Sequence, residues 1–310
     1  MYNQRNKQST KRIKGISLVE LMVSMVIAAL VFTSSYGLYF SIKTKYSEYK
    51  VKMDAEVKEL TAKRIFYNFI KNSGFACRLG HLDQIYYDRT GDSLDNLFIS
   101  SNAIQVGALP LPDSEHLPSS LESGCTTSDC YEAGTDYIVV KKDLSNTELL
   151  ATNSGSVTLN VKDASAFAAK DYLILCDNAY FNLVKATAVN NTSNTISIAN
   201  APEGSTYYTG DYVGTYSLEI LYTRDSGAVD DNGDPIYSLY VYMKGGNAAG
   251  TSYELIRGIN NLQIESGTVL DDVITWHAVS SDVGINKTEH GAIRVTFSVG
   301  GKSFDKIIVV

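Results

Sequence analysis

Residues 14–33 read KGISLVELMVSMVIAALVFT, and from Ile16 to Thr33 the only charged residue is Glu20. As a helix those 18 residues span about 27 Å, close to the thickness of the hydrocarbon layer of a bilayer. A carboxylate in such a segment is costly unless it meets a positive partner. Ahead of the run stand Arg5, Lys7, Lys11, Arg12 and Lys14, with no acid among residues 1–15. That basic end should stay cytoplasmic, which places the bulk of the chain beyond the membrane. Five of the 27 basic residues lie in this end, leaving 22 against 34 acids, a net charge of −12. The basic end is therefore a separate module, and the acidic remainder argues against a general nucleic-acid binder.

Hydrophobicity alone leaves three readings open. One is a secretory signal peptide cut near Thr33-Ser34-Ser35, for which an acid in the apolar region is awkward. Another is a plain transmembrane anchor. The third is a segment cut on the other side, between the basic leader and the apolar run. The residues that follow bear on this. Ile42, Tyr46, Tyr49, Met53, Val57 and Leu60 recur at spacings of three and four, which predicts one apolar face of a helix. Apart from Gly37, no breaker appears before Gly74, so one helix is expected over 16–72. A signal peptide discarded midway fits such a helix poorly.

Gly15 followed by ISLVELMVSMVIAAL resembles the class III signal of type IV prepilins and type II secretion pseudopilins. The resemblance implies a short basic leader, residues 1–15, removed by prepilin peptidase between Gly15 and Ile16, with N-methylation of Ile16. Ile16 stands where Phe is usual in the family. Glu20 becomes the fifth mature residue, and the resemblance implies that it pairs with the N-terminal amine of a neighbouring subunit. Residues 16–36 then serve as a transmembrane segment and later as filament core.

Tyrosine is abundant, at 21 residues, and the region from 73 to 310 is rich in short β-prone runs between polar turns. Strands are expected in TDYIVVKK (135–142), SVTLNV (156–161), DYLILCD (171–177), NLVKATAV (182–189) and NTISIA (194–199). TYSLEILYTR (215–224) and PIYSLYVYMK (235–244) read as a hairpin turning at Asn232-Gly233. NLQIES, VITWHAV, AIRVTFSV and FDKIIVV complete the set. Residues 81–130 read as irregular, and 156–213 as an inserted subdomain. The fold class is α+β, with the outer half of a long helix on an antiparallel sheet. The stretch KNSGFACRLG, and LIRGINNLQIESG followed by AIRVTFSV, resemble segments of PilW-like minor pilins and of J-type pseudopilins.

All four cysteines lie beyond the apolar run, which suits disulfides in an oxidising compartment. Cys125 and Cys130, five apart in a flexible segment, are the simplest local pair. Cys77 and Cys176 then remain to pair with each other, or Cys176 is a buried free thiol.

No motif for catalysis is found: there is no G-x-S-x-G, Walker loop or H-E-x-x-H. His81, His116, His277 and His290 lack metal-ligand spacing, so no catalytic residue, metal or cofactor is expected. Asp230, Asn232 and Asp234 alternate like a calcium loop, but Pro235 and Val241 stand where an EF-hand needs Gly and an acid. The expectation is a structural minor pilin, not an enzyme. It sits in the bacterial inner membrane with its N-terminus cytoplasmic, and then in a surface pilus, priming assembly near the tip. The implied partners are prepilin peptidase, other minor pilins and the major pilin, the inner-membrane assembly platform, and the lipid bilayer before assembly. The alternatives are a J-type pseudopilin of type II secretion and, from another class, a membrane-anchored periplasmic binding module or enzyme.

Overall fold

The computed structural model describes residues 17–75, 77, 85–99, 102–111, 116–125, 129–177, 180–204, 206–246, 250–270, 273–279, 283–285 and 290–310. A 54-residue helix, α1 (Leu18–Lys71), opens it. Gly74, at φ 103°, takes the left-handed conformation that stops the helix cheaply. The chain divides into two compact units inside α1, the first ending at Glu56 and the second running from Val57 to Val310.

In the second unit the chain forms β1 (Ile85–Arg89), a four-residue helix α2 (Asn96–Ile99), β2 (Ile104–Ala108) and β3 (Asp136–Lys142). Then come β4 (Asn146–Glu148), β5 (Thr158–Asn160), β6 (Tyr172–Cys176), β7 (Tyr180–Asn190), β8 (Thr195–Ile198) and β9 (Tyr212–Thr215). The rest is β10 (Ser217–Val229), β11 (Pro235–Lys244), β12 (Thr251–Arg257), β13 (Ile259–Leu270), β14 (Val273–Ala278), β15 (Val283–Ile285), β16 (His290–Val299) and β17 (Lys302–Val309).

Three sheets result. A six-stranded sheet has the order β12-β11-β10-β3-β2-β15, and a four-stranded sheet the order β14-β13-β16-β17, all pairs antiparallel. The third runs β4-β9-β6-β7-β8-β5, with β1 added parallel to β7. A helix followed by antiparallel sheets is the α+β architecture that the sequence pattern implies.

β3 and β10 are neighbours in the six-stranded sheet, so the seven-stranded sheet is built from the chain between them, joined by β1. It shares a core with its host. Tyr172, Ile174 and Phe181 pack with Leu218, Ile220 and Tyr222 of β10. Its other face closes over Leu159, Leu173, Leu175, Ile196 and Val213. β6 is therefore buried along its whole length, which explains why YLILC is a continuous apolar run rather than an alternating one.

The region 81–130 departs from the irregular reading. IYYDR forms β1 and IQVGA forms β2, whose first four residues are buried. Such short strands carry no alternation to read, and sheet neighbours distant in sequence decide them. The first strand of the hairpin also runs beyond Arg224, since β10 continues through a bulge at Asp225–Ala228 to Val229. Only 230–234 turns.

The helix packs over a shorter length than the apolar stripe predicts. Ile42, Tyr46, Tyr49, Met53, Val57 and Leu60 are each at least 58% exposed. Burial is confined to Ala62, Phe66 and Ile70, spaced by four. Phe66 meets Phe297 at 5.4 Å between ring centroids, Lys63 lies over Phe304, and Lys306 lies over Tyr67. The last turns of α1 thus lie on the four-stranded sheet, where β16 and β17 supply the aromatic contact.

The stretch GINNLQI owes its spacing to a bulge at the start of β13. Gly258 and Asn261 have φ of 83° and 54°, and the register with β16 slips between Asn260 and Gln263. Ile259, Leu262 and Ile264 are buried. Two carboxylates hold the bulge: Glu132 accepts from the Asn261 N–H at 2.9 Å, and Asp136 from the Ile264 N–H at 2.7 Å.

Candidate functional site

The residues with the clearest functional signal lie at the start of α1. Gly15 and Ile16 fall outside the described residues. Glu20 sits in the first turn of the helix, where the N-terminal N–H groups have no intrahelical partner. The Ser17 N–H donates to Glu20 Oε2 at 3.0 Å. The carboxylate thereby caps the end of the helix and is favoured by the helix dipole. Its surroundings are open, for every residue from Ser17 to Asp54 is exposed within this chain.

The run from Leu18 onward carries a mean hydropathy of 2.0 over its most apolar 18-residue window, none of it buried within the chain. Three of its hydroxyls bond back to the helix. Ser24 Oγ donates to the Leu21 carbonyl at 2.9 Å, Thr33 Oγ1 to Ala29 at 2.9 Å, and Ser34 Oγ to Leu30. These bonds satisfy the side chains on the helix's own backbone, as an apolar environment requires. A shallow groove along the same helix is lined by Ser24, Ile27, Ala28, Val31, Phe32 and Ser35.

In the second unit Cys77 is bonded to Cys176, with Cα atoms 6.3 Å apart, and Cys125 to Cys130 at 5.7 Å. The first bond ties the segment just after α1 to β6, inside the core that the two larger sheets share. Asp230 Oδ1 accepts from the N–H groups of Asp234 and Asn232, at 2.9 and 2.8 Å. Those contacts hold the carboxyl below its usual range and make 230–234 an Asx-type turn. Among the described residues no group of three His, Cys, Asp or Glu side chains is placed to hold a metal.

One polar cluster has no signature in the sequence, because its members lie far apart along the chain. Asp92 accepts from Lys185 Nζ at 2.5 Å and from the Tyr172 hydroxyl at 2.9 Å. Burial works against the Asp92 carboxylate, but these two partners more than offset it and hold the carboxyl below its ordinary range. Burial raises Tyr172, and Asp92 raises it further. The cluster is a closed internal ion pair that fixes β6 and β7 to the loop after β1. Arg294 is fixed in a similar way on the four-stranded sheet, 2.7 Å from Glu265 and over the Trp276 ring.

Comparison with known proteins bears on the first unit. Residues 10–36 match the prokaryotic N-terminal methylation motif. No curated protein and no solved structure matches the chain. The motif spans the proposed cut, Glu20 and the apolar start of α1, and it implies processing by prepilin peptidase and handling by pilus assembly machinery. With the long apolar helix and the antiparallel sheets that follow it in the chain, the motif supports a type IV pilin-like protein, either a pilin or a pseudopilin.

Proposed function

We propose that this chain is a structural minor pilin of the PilW-like kind, which primes type IV pilus assembly and resides at or near the filament tip. The observation that carries the reading is the methylation motif at residues 10–36, with Glu20 held in the first helical turn. Prepilin peptidase cuts between Gly15 and Ile16 and methylates the new amine. Cleavage creates the cation that a buried glutamate needs. Glu20 then exchanges its local bond to Ser17 for the N-terminal amine of a neighbouring subunit, a charge-assisted contact that sets the register of packed helices. The exposed apolar stripe from Ile42 to Leu60 is what such packing covers.

The J-type pseudopilin reading shares the motif and the helix, and gene neighbourhood separates the two. The pilin role is tested by piliation. A strain lacking this chain should lose surface pili and regain them with the wild-type gene. Glu20→Ala should insert into the membrane normally, because a charge leaves the bilayer, yet restore few pili. Full piliation by Glu20→Ala would remove the pairing role. Normal piliation in the deletion strain would remove the priming role.

A further inference from the structure

Within the first unit, α1 changes along its length from apolar to aromatic to basic. With a rise of 1.5 Å per residue, Tyr36, Tyr39 and Phe40 lie roughly 27–33 Å from Leu18. That is the depth of a hydrocarbon layer, where Tyr and other aromatic rings collect at the interface. The three rings form one cluster, Tyr36 to Phe40 at 4.7 Å and Tyr39 to Phe40 at 6.0 Å between centroids, and all are exposed. Lys43 and Lys45 follow at about 38 and 41 Å, at the outer edge of the headgroup region, and helical side chains tilt toward the N-terminus, which brings their ammonium groups back into it.

Two features of these lysines point to their partner. They are two residues apart, so they project about 200° from one another around the helix at nearly one level. The charge is a collar, not a patch on one side. Among the described residues neither makes an ion pair, although Lys52 pairs with Glu56 at 3.9 Å and Lys63 with Glu59 at 2.7 Å further along. Lys43 has only Tyr39, Phe40, Tyr46 and Ser47 one turn away, so the helix offers it no acid. Glu48 lies one turn beyond Lys45 without bonding to it.

We propose that Lys43 and Lys45 hold anionic phospholipid headgroups while the subunit waits in the membrane, with the aromatic cluster before them fixing the depth of the helix. A bilayer surrounds the helix on all sides and so can engage both lysines, whereas an acidic protein docking on one face reaches one. Each lysine near an anionic surface adds attraction that salt weakens. The proposal rests on reading α1 as a membrane anchor.

The test uses the mature chain beginning at Ile16, which lacks the five basic residues of the leader, in nanodiscs of equal phosphatidylglycerol and phosphatidylcholine. Native mass spectrometry counts the lipids that leave with the protein. The wild type should retain several-fold more phosphatidylglycerol than phosphatidylcholine, and Lys43→Gln/Lys45→Gln should retain the two nearly equally. An unchanged preference in the double variant, or none in the wild type, overturns the proposal. A second variant, Ile27→Trp, reads the anchor separately through quenching by lipids brominated at their chain ends, measured above the Trp276 background. Quenching together with a missing lipid preference leaves the anchor standing and removes only the headgroup contact. No quenching removes both.

Discussion

At the scale of single residues, Asp136 is the most informative. It stands at the start of β3, buried, with one hydrogen bond from the Ile264 N–H. Burial pushes its carboxyl up from 3.8 to about 6, and the Ile264 bond opposes this only in part. The folded chain therefore keeps a proton over a pH window in which the unfolded chain has lost it. A carboxyl raised in the folded state favours folding at low pH, so its contribution falls as pH rises from about 4 to about 6. A rise of that size corresponds to roughly 2–3 kcal/mol. Urea midpoints of a soluble fragment carrying the second unit should fall between pH 4 and 7. In Asp136→Asn, whose amide oxygen still accepts from Ile264, that fall should shrink by about 2 kcal/mol. Parallel curves for the two proteins would mean that Asp136 ionises freely. No feature of TDYIVVKK announces this group, because its partner lies 128 positions later and is chosen by the bulge at Gly258–Asn261. Glu20 is the opposite case. A single acid in an apolar run is conspicuous in the sequence, since almost nothing but function keeps a charge there.

At the scale of elements, the strands of the hairpin β10–β11 and of the last sheet were legible because they are long and end at turn residues. β1, β2, β4, β9, β12 and β15 were not. Several have only three to five residues, and they owe their state to neighbours in the sheet rather than to their own pattern. The helix shows the same division. Its extent to Lys71 follows from periodicity and from Gly74, but periodicity cannot say which apolar positions this chain covers itself. Phe66 is fully buried against Phe297, while Tyr46, on the same helix, is 70% exposed. Phe66→Ala should therefore cost about 3–5 kcal/mol in the soluble fragment. Leu60→Ala, at a stripe position 67% exposed inside the same fragment, should stay within about 0.5 kcal/mol, as surface substitutions do. Chemical denaturation followed by circular dichroism measures both. Comparable losses from the two would show that the stripe before Ala62 is packed within the subunit after all.

At the scale of the whole molecule, a disulfide-bonded domain follows a helix whose first part is long and apolar enough to cross a membrane. The bond Cys77–Cys176 closes a separation of 99 residues, and Cys125–Cys130 one of 5. By chain entropy the first contributes about 4.7 kcal/mol and the second about 2. Cys77→Ser should accordingly lower the urea midpoint of the domain much more than Cys125→Ser, and equal losses would contradict the entropic account. Composition pointed to the oxidising side of a membrane, and the cysteine spacing to a local pair, but only the packing of β6 says why Cys176 lies within reach of Cys77. The pilin reading depends on the basic leader being removed on the cytoplasmic side, so that the helix begins at Ile16 and Glu20 becomes the fifth residue. Intact-mass and N-terminal peptide mass spectrometry of the protein extracted from membranes tests this directly. The account predicts a chain that begins at Ile16 with a methylated amine. A chain that begins between Ser34 and Gly37, or one that retains residues 1–15, would contradict it.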